Sequence, residues 1–210
     1  ALLVRLYLHT YQVTGKPLYK TIVEETLDYV LREMTSPEGG FYSTQDADSE
    51  GEEGKYFVWS PSEVESALGK KAAAAFNKHY DVTPIGNFEG RNILHVVDVP
   101  GDCDKESEDR LREARVKLLA IRQNRVAPGR DEKILTAWNG LMLRSFAEAG
   151  MALGRPDYLE AAVNNANFLL VHMKHEGRLL RTYRQGQAKL LGYLEDYAFV
   201  ADGLLALYEA

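Results

Sequence analysis

Gly15-Lys16-Pro17-Leu18-Tyr19 returns 139 positions later as Gly154-Arg155-Pro156-Asp157-Tyr158. The match runs in register back to Leu2/Leu141 and Arg5/Arg144 and forward to Leu31/Leu170 and Met34/Met173. Self-similarity at a fixed period marks a duplicated supersecondary unit. Leu2, Leu3, Leu6, Tyr7 and Val13 fit one helix face, and Gly15 supplies a C-terminal stop. Pro17 falls in a first helical turn, where its missing N–H costs nothing. Ile22, Val23, Leu27, Val30, Leu31 and Met34 form the wide apolar stripe of a second helix, from Pro17 to about Thr35, that packs on a neighbour. The unit is therefore a helical hairpin with a short Gly-x-Pro turn. A third start, Ala201-Asp202-Gly203-Leu204-Leu205, echoes Trp138-Asn139-Gly140-Leu141-Met142.

With 210 residues, 45% of them hydrophobic, the chain can bury one sizeable core, and no Pro/Ser-rich linker divides it. A single domain over 1–210 is expected. A net charge of −6 without any Lys/Arg-rich run argues against nucleic acid. The one cysteine, Cys103, allows no disulfide framework, no Cys-x-x-Cys pair and no zinc knuckle, so a reducing, cytoplasmic location is expected. Ala1 to Thr14 is interrupted by Arg5 and His9, too short to span a bilayer and without a signal-peptide pattern, so no membrane partner is expected. The chain opens without methionine and already inside a helical pattern, as a fragment does.

Long connections between hairpins are where function collects. The first, residues 36–130, contains Gly39 to Trp59, where Asp46, Asp48, Glu50, Glu52 and Glu53 lie between strand-like runs at Phe41 to Ser43 and Tyr56 to Trp59. Ser60-Pro61-Ser62-Glu63 reads as a helix start leading to Leu68, and Lys70 to His79 as another helix. Asn92 to Val97 reads as a strand and Lys105 to Arg125 as a charged helix. A second connection, Glu176 to Gly192, reads as a hairpin around Arg184-Gln185-Gly186-Gln187.

Asp46-x-Asp48-x-Glu50-Gly51 imitates the first half of a calcium loop, but Phe57 stands where the closing carboxylate is needed, so no metal is expected. The loop is then a substrate contact or a turn held by carboxylate-to-backbone bonds. Asp131-Glu132 and Glu195-Asp196 precede helices aligned through Trp138-Asn139-Gly140 and Ala201-Asp202-Gly203. They either compensate helix dipoles or act as general acid and base. Arg91 and His95, four apart on the expected strand, share a face, with His95 either structural or a base. His172 and His175 fit a helix C-terminus better than a metal site.

Gly40-Phe41-Tyr42-Ser43 with Asp46-Ala47-Asp48-Ser49-Glu50-Gly51, Gly90-Arg91-Asn92-Ile93-Leu94-His95, Asp131-Glu132-Lys133 with Trp138-Asn139-Gly140, and Tyr193-Leu194-Glu195-Asp196-Tyr197-Ala198 carry a family likeness. Together they resemble the YyaL-like, spermatogenesis-associated family of thioredoxin-domain-containing proteins. The resemblance implies an all-α fold, here a partial (α/α) toroid of hairpins with small β excursions on one rim, similar to six-hairpin glycosidases and epimerases. It also implies a thioredoxin-like domain elsewhere in the full-length protein, as a partner. The expected function is binding of a sugar-like small molecule, its turnover left open, without a cofactor. Candidate acids are Asp46, Asp48, Asp131, Glu195 and Asp196; candidate substrate contacts are Trp59, Arg91, His95, Trp138, Asn139 and Tyr197. The acidic phrases are expected to converge on the rim opposite the Gly15 and Gly154 turns. The rival reading is a non-catalytic scaffold for the thioredoxin-like domain or a partner protein, which predicts an apolar patch in place of a cavity lined by carboxylates and aromatics.

Overall fold

Both Gly-x-Pro turns form the same structure in the computed structural model, which describes residues 1–97 and 105–210. Helix α1 (Leu2–Thr14) ends at Gly15 with φ 66°, and α2 (Pro17–Glu33) starts on Pro17. Helix α6 (Thr136–Leu153) ends at Gly154 with φ 65°, and α7 (Pro156–His172) starts on Pro156. A left-handed residue lets the last N–H turn back onto the helix, and glycine adopts it without a Cβ clash. Gly15 N–H accordingly bonds Tyr11 O at 2.7 Å. Between the hairpins come α3 (Pro61–Leu68), α4 (Lys70–His79) and α5 (Lys105–Arg122), and α8 (Leu194–Glu209) closes the described chain. Cys103 lies outside the described residues.

The chain divides into two compact units, residues 1–44 with 130–210 and residues 45–129. In the first, α6 and α8 run parallel, because contacts advance together along both. Ala137 N–H bonds Asp196 Oδ1 at 2.9 Å, and further along Arg144 pairs with Asp202. Helix α1 runs parallel on α6's other flank: Ser145 Oγ–H reaches Ala1 O at 3.1 Å and Arg5 Nε reaches Glu148 Oε2 at 3.0 Å. Helices α2 and α7 form a second layer, joined by Tyr158 OH to Asp28 Oδ1 at 2.7 Å. Val4, Leu8, Val23, Leu27, Leu143, Phe146, Tyr158, Phe168 and Leu169 fill the space between the layers. This is a mostly helical, two-layered fold.

The departure from an all-helical first unit is a five-stranded sheet in the connections. It joins β1 (Tyr42–Gln45), β4 (Arg130–Leu135), β6 (Arg178–Arg184) and β5 (Lys174–His175) in the order β1-β4-β6-β5, with β7 (Gln187–Leu191) also paired to β6. The β6–β7 hairpin falls in the connection read as one, with Arg184 opposite Gln187. Phe41, Ile134, Leu179 and Tyr183 carry the helical core onto this sheet. Strand β4 runs directly into α6, so the sheet lies at the N-terminal end of α6, away from the Gly154 turn.

The second unit has its own core, in which Trp59, Val64, Phe76, Tyr80, Val82, Ala114 and Leu118 join α3, α4 and α5. Its ends meet: Asp46 N–H bonds Gly129 O at 2.7 Å, and Ser49 Oγ–H bonds Val126 O at 2.5 Å. Two expected strands are absent. Tyr56 and Phe57 lie in a turn, and Trp59 makes an isolated bridge with Asn92. From Asn92 to Val97 asparagine side chains replace a ladder. Asn92 Nδ2 donates to Trp59 O and Thr83 O, its Oδ1 accepts Thr83 N–H, and Asn87 bonds both the N–H and the carbonyl of Ile93. Local amide bonds of this kind satisfy the backbone as a strand would.

The α6–α8 crossing depends on two glycines. A Cβ on Gly140 would lie 2.5 Å from the Phe199 carbonyl carbon, and one on Gly203 would lie 2.6 Å from Gly140 O. Glycine to alanine ordinarily stabilises a helix interior by about 1 kcal/mol. Here Gly140→Ala and Gly203→Ala should each destabilise by about 1–3 kcal/mol, because backbone rather than a movable side chain occupies the space. Urea midpoints at or above that of the parent chain would show that the helices separate at no cost.

Candidate functional site

Asp196 is 1% exposed and sits in the first turn of α8. Its Oδ1 accepts Ala137 N–H, from the first turn of α6; its Oδ2 accepts Tyr193 N–H at 2.7 Å and Arg181 Nη1 at 3.1 Å. One carboxylate thus serves the N-termini of two parallel helices, where unpaired N–H groups and both dipoles favour negative charge. Glu195 is exposed and pairs with Arg181 at 2.8 Å. Tyr197 OH accepts Leu179 N–H at 3.0 Å, tying α8 to β6.

The Trp138-Asn139-Gly140 phrase separates into three roles. Trp138 is 50% exposed. Asn139 is buried: its Oδ1 accepts Phe41 N–H at 2.7 Å and Asn165 Nδ2, while its Nδ2 donates to Phe41 O and Leu135 O. It clamps the segment entering β1 onto the start of α6. Gly140 makes the helix crossing. Asp131 corrects an expectation: it lies in β4 rather than at a helix N-terminus, because pairing of Ile134 with Tyr183 and Leu135 with Thr182 extends the strand up to Thr136. Its Oδ1 accepts Lys133 N–H at 3.1 Å. That bond, with the Lys133 ammonium and Arg184 nearby, holds the Asp131 carboxyl below its ordinary value. Asp131 is thereby kept ionised and suits accepting bonds better than donating a proton.

In the second unit Asp48 and Ser49 (β2) pair with Glu53 and Glu52 (β3) across a Glu50-Gly51 turn, both turn residues having positive φ. The stretch resembling a calcium loop is thus a tight hairpin. Asp46 Oδ1 accepts Asp48 N–H at 3.3 Å, and Lys55 Nζ lies 3.0 Å from Glu52 and 3.5 Å from Glu50. Trp59 is 2% exposed beneath Arg125, whose guanidinium carbon stands 4.1 Å from the indole centroid. Arg125 Nη1 also donates to Tyr56 O and Val58 O. Arg91 meets Glu63 at 2.5 Å, and exposed His95 has Nε2 3.4 Å from Asp81. The shared-face argument for Arg91 and His95 fails with the strand on which it rested. Burial alone would raise the Glu63 carboxyl, but the Ser60 N–H, Arg91 and the Ser60 hydroxyl together lower it.

A network that sequence reasoning did not single out joins three helices. Arg5 and Arg144, equivalent positions of the repeat, both donate to Glu148, the latter at 2.7 Å; Arg144 also pairs with Asp202, and His9 Nε2 lies 3.6 Å from Glu148. The Arg5/Arg144 identity was the available signal. A cleft of about 480 Å³ between α2 and α7 is lined by Ser36, Glu38, Asp157, Glu160, Asn164 and Asn167. It contains none of the expected site residues. Among the described residues no group of three His, Cys, Asp or Glu is placed to hold a metal ion, and no helix is long and apolar enough to cross a membrane.

The network generates a pH dependence. Burial acts to raise the Glu148 carboxyl, but Arg144 and Arg5 hold it below the ordinary 4.5. A carboxylate lowered in the folded state contributes stability that is complete above its unfolded value and lost as pH falls through the folded one. Glu148→Gln should therefore cost about 1–3 kcal/mol at neutral pH. The difference in urea midpoint should shrink on acidification below pH 4.5, and a difference that stayed constant would remove Glu148 from the acid response.

No family model matches the chain. Spermatogenesis-associated protein 20 of human is 35% identical over 97% of this chain and 31% of the human protein, and that of mouse is 34% identical over the same shares. An uncharacterised protein of Caenorhabditis elegans is 26% identical over 90% of this chain and 31% of its own length. The chain spans about a third of the length of the curated relatives it matches. Over nearly its whole length, this chain is a relative of part of the spermatogenesis-associated proteins.

Proposed function

We propose that this chain is a non-catalytic interaction module: a segment of an (α/α) toroid that scaffolds a thioredoxin-like domain of the same longer protein. The observation that carries this reading is the state of Asp196. A general acid or base must reach a substrate proton, and Asp196 is buried, with both oxygens committed to two backbone N–H groups and Arg181. Glu195 is paired to Arg181, and Asp131 is held ionised by Lys133 and so is poorly suited to donate a proton. The first unit also presents an apolar stripe to solvent. Leu2, Leu3, Leu6 and Val13 are exposed on α1 opposite buried Val4 and Leu8. Paired charges of Arg5 and Glu148 border this stripe, an apolar surface with a polar margin as at a protein interface. The resemblance to thioredoxin-domain-containing proteins supplies the partner.

One observation favours a second reading. The Ala137–Asp196 bond sets the first turns of α6 and α8 side by side, with half-exposed Trp138 following Ala137 in one and exposed Tyr197 following the Arg181-bound Glu195 and Asp196 in the other. Aromatic rings near a carboxylate and a guanidinium suit a sugar-like ligand.

Titration calorimetry of the thioredoxin-like domain of the longer protein into this chain separates the two readings. The scaffold reading expects binding that Leu6→Glu weakens at least about tenfold. Tryptophan fluorescence should stay unchanged across a sugar panel, since Trp138 is the exposed indole and Trp59 is buried. No heat with the domain, together with sugar-dependent quenching lost in Trp138→Ala, would replace the scaffold by the sugar reading.

A further inference from the structure

We draw no further inference here: the strongest candidate, the cleft of about 480 Å³ between α2 and α7, rests on a cluster of acidic side chains, Glu38, Asp157 and Glu160, and no second feature among the described residues points to a ligand there.

Discussion

The close parallel crossing of α6 and α8 is the constraint on which the rest of the first unit depends. Two helices approach to backbone contact only where side chains are absent, which is what Gly140 and Gly203 provide. At that separation their N-termini lie side by side, and two sets of unpaired N–H groups face the same space. Asp196 occupies it, and Arg181 from β6 balances the charge. One residue before Gly140, Asn139 uses all its amide capacity on the segment entering β1, the end of β4 and Asn165 of α7. Two of the phrases that carry the family likeness, Trp138-Asn139-Gly140 and Tyr193 to Ala198, are thus fittings of one joint. Their chemistry is that of carboxylates and amides satisfying backbone groups at low dielectric, where leaving them unsatisfied is expensive.

This assignment changes what the polar residues imply. An acid near tryptophan and tyrosine suggests catalysis in a sequence, because exposure cannot be seen there. Asp196 looked equivalent to Asp131, yet one is buried under two helices and the other lies on a strand with Lys133 as its neighbour. Trp59 and Trp138 were both candidate substrate contacts, yet one is a core residue under Arg125 and the other is half exposed. Taking such groups as fittings leaves exposed apolar residues on α1 and α8 as the features of the first unit that the joint does not explain.

The hairpins were legible because two local signals, a left-handed glycine stop and a proline start, were repeated around an apolar stripe of helical period. The β6–β7 hairpin and the capped start of α3 at Ser60 were legible for the same local reason. The strand expected at Asn92 to Val97 was not realised: Asn87 bonds the backbone of Ile93, and Asn92 bonds backbone groups of Thr83 and Trp59, partners too distant in sequence to be inferred. The second unit was hidden because no flexible linker announces it; its entry and exit are joined by backbone bonds. The Glu148 network was half legible, as Arg5 and Arg144 occupy matching repeat positions, while their convergence on one carboxylate needs the third dimension.

Replacing Asp196 by alanine and following amide hydrogen exchange in α6 and α8 tests the joint most directly. The account predicts a stability loss of about 3–5 kcal/mol, since Arg181 would lose its buried partner and two N–H groups their acceptor. Exchange should quicken first at Ala137 and in the opening turn of α8, with the second unit's core unaffected. Unchanged exchange and an unchanged unfolding midpoint, accompanied by loss of binding to a sugar-like ligand, would contradict the account and return Asp196 to the role of a functional acid.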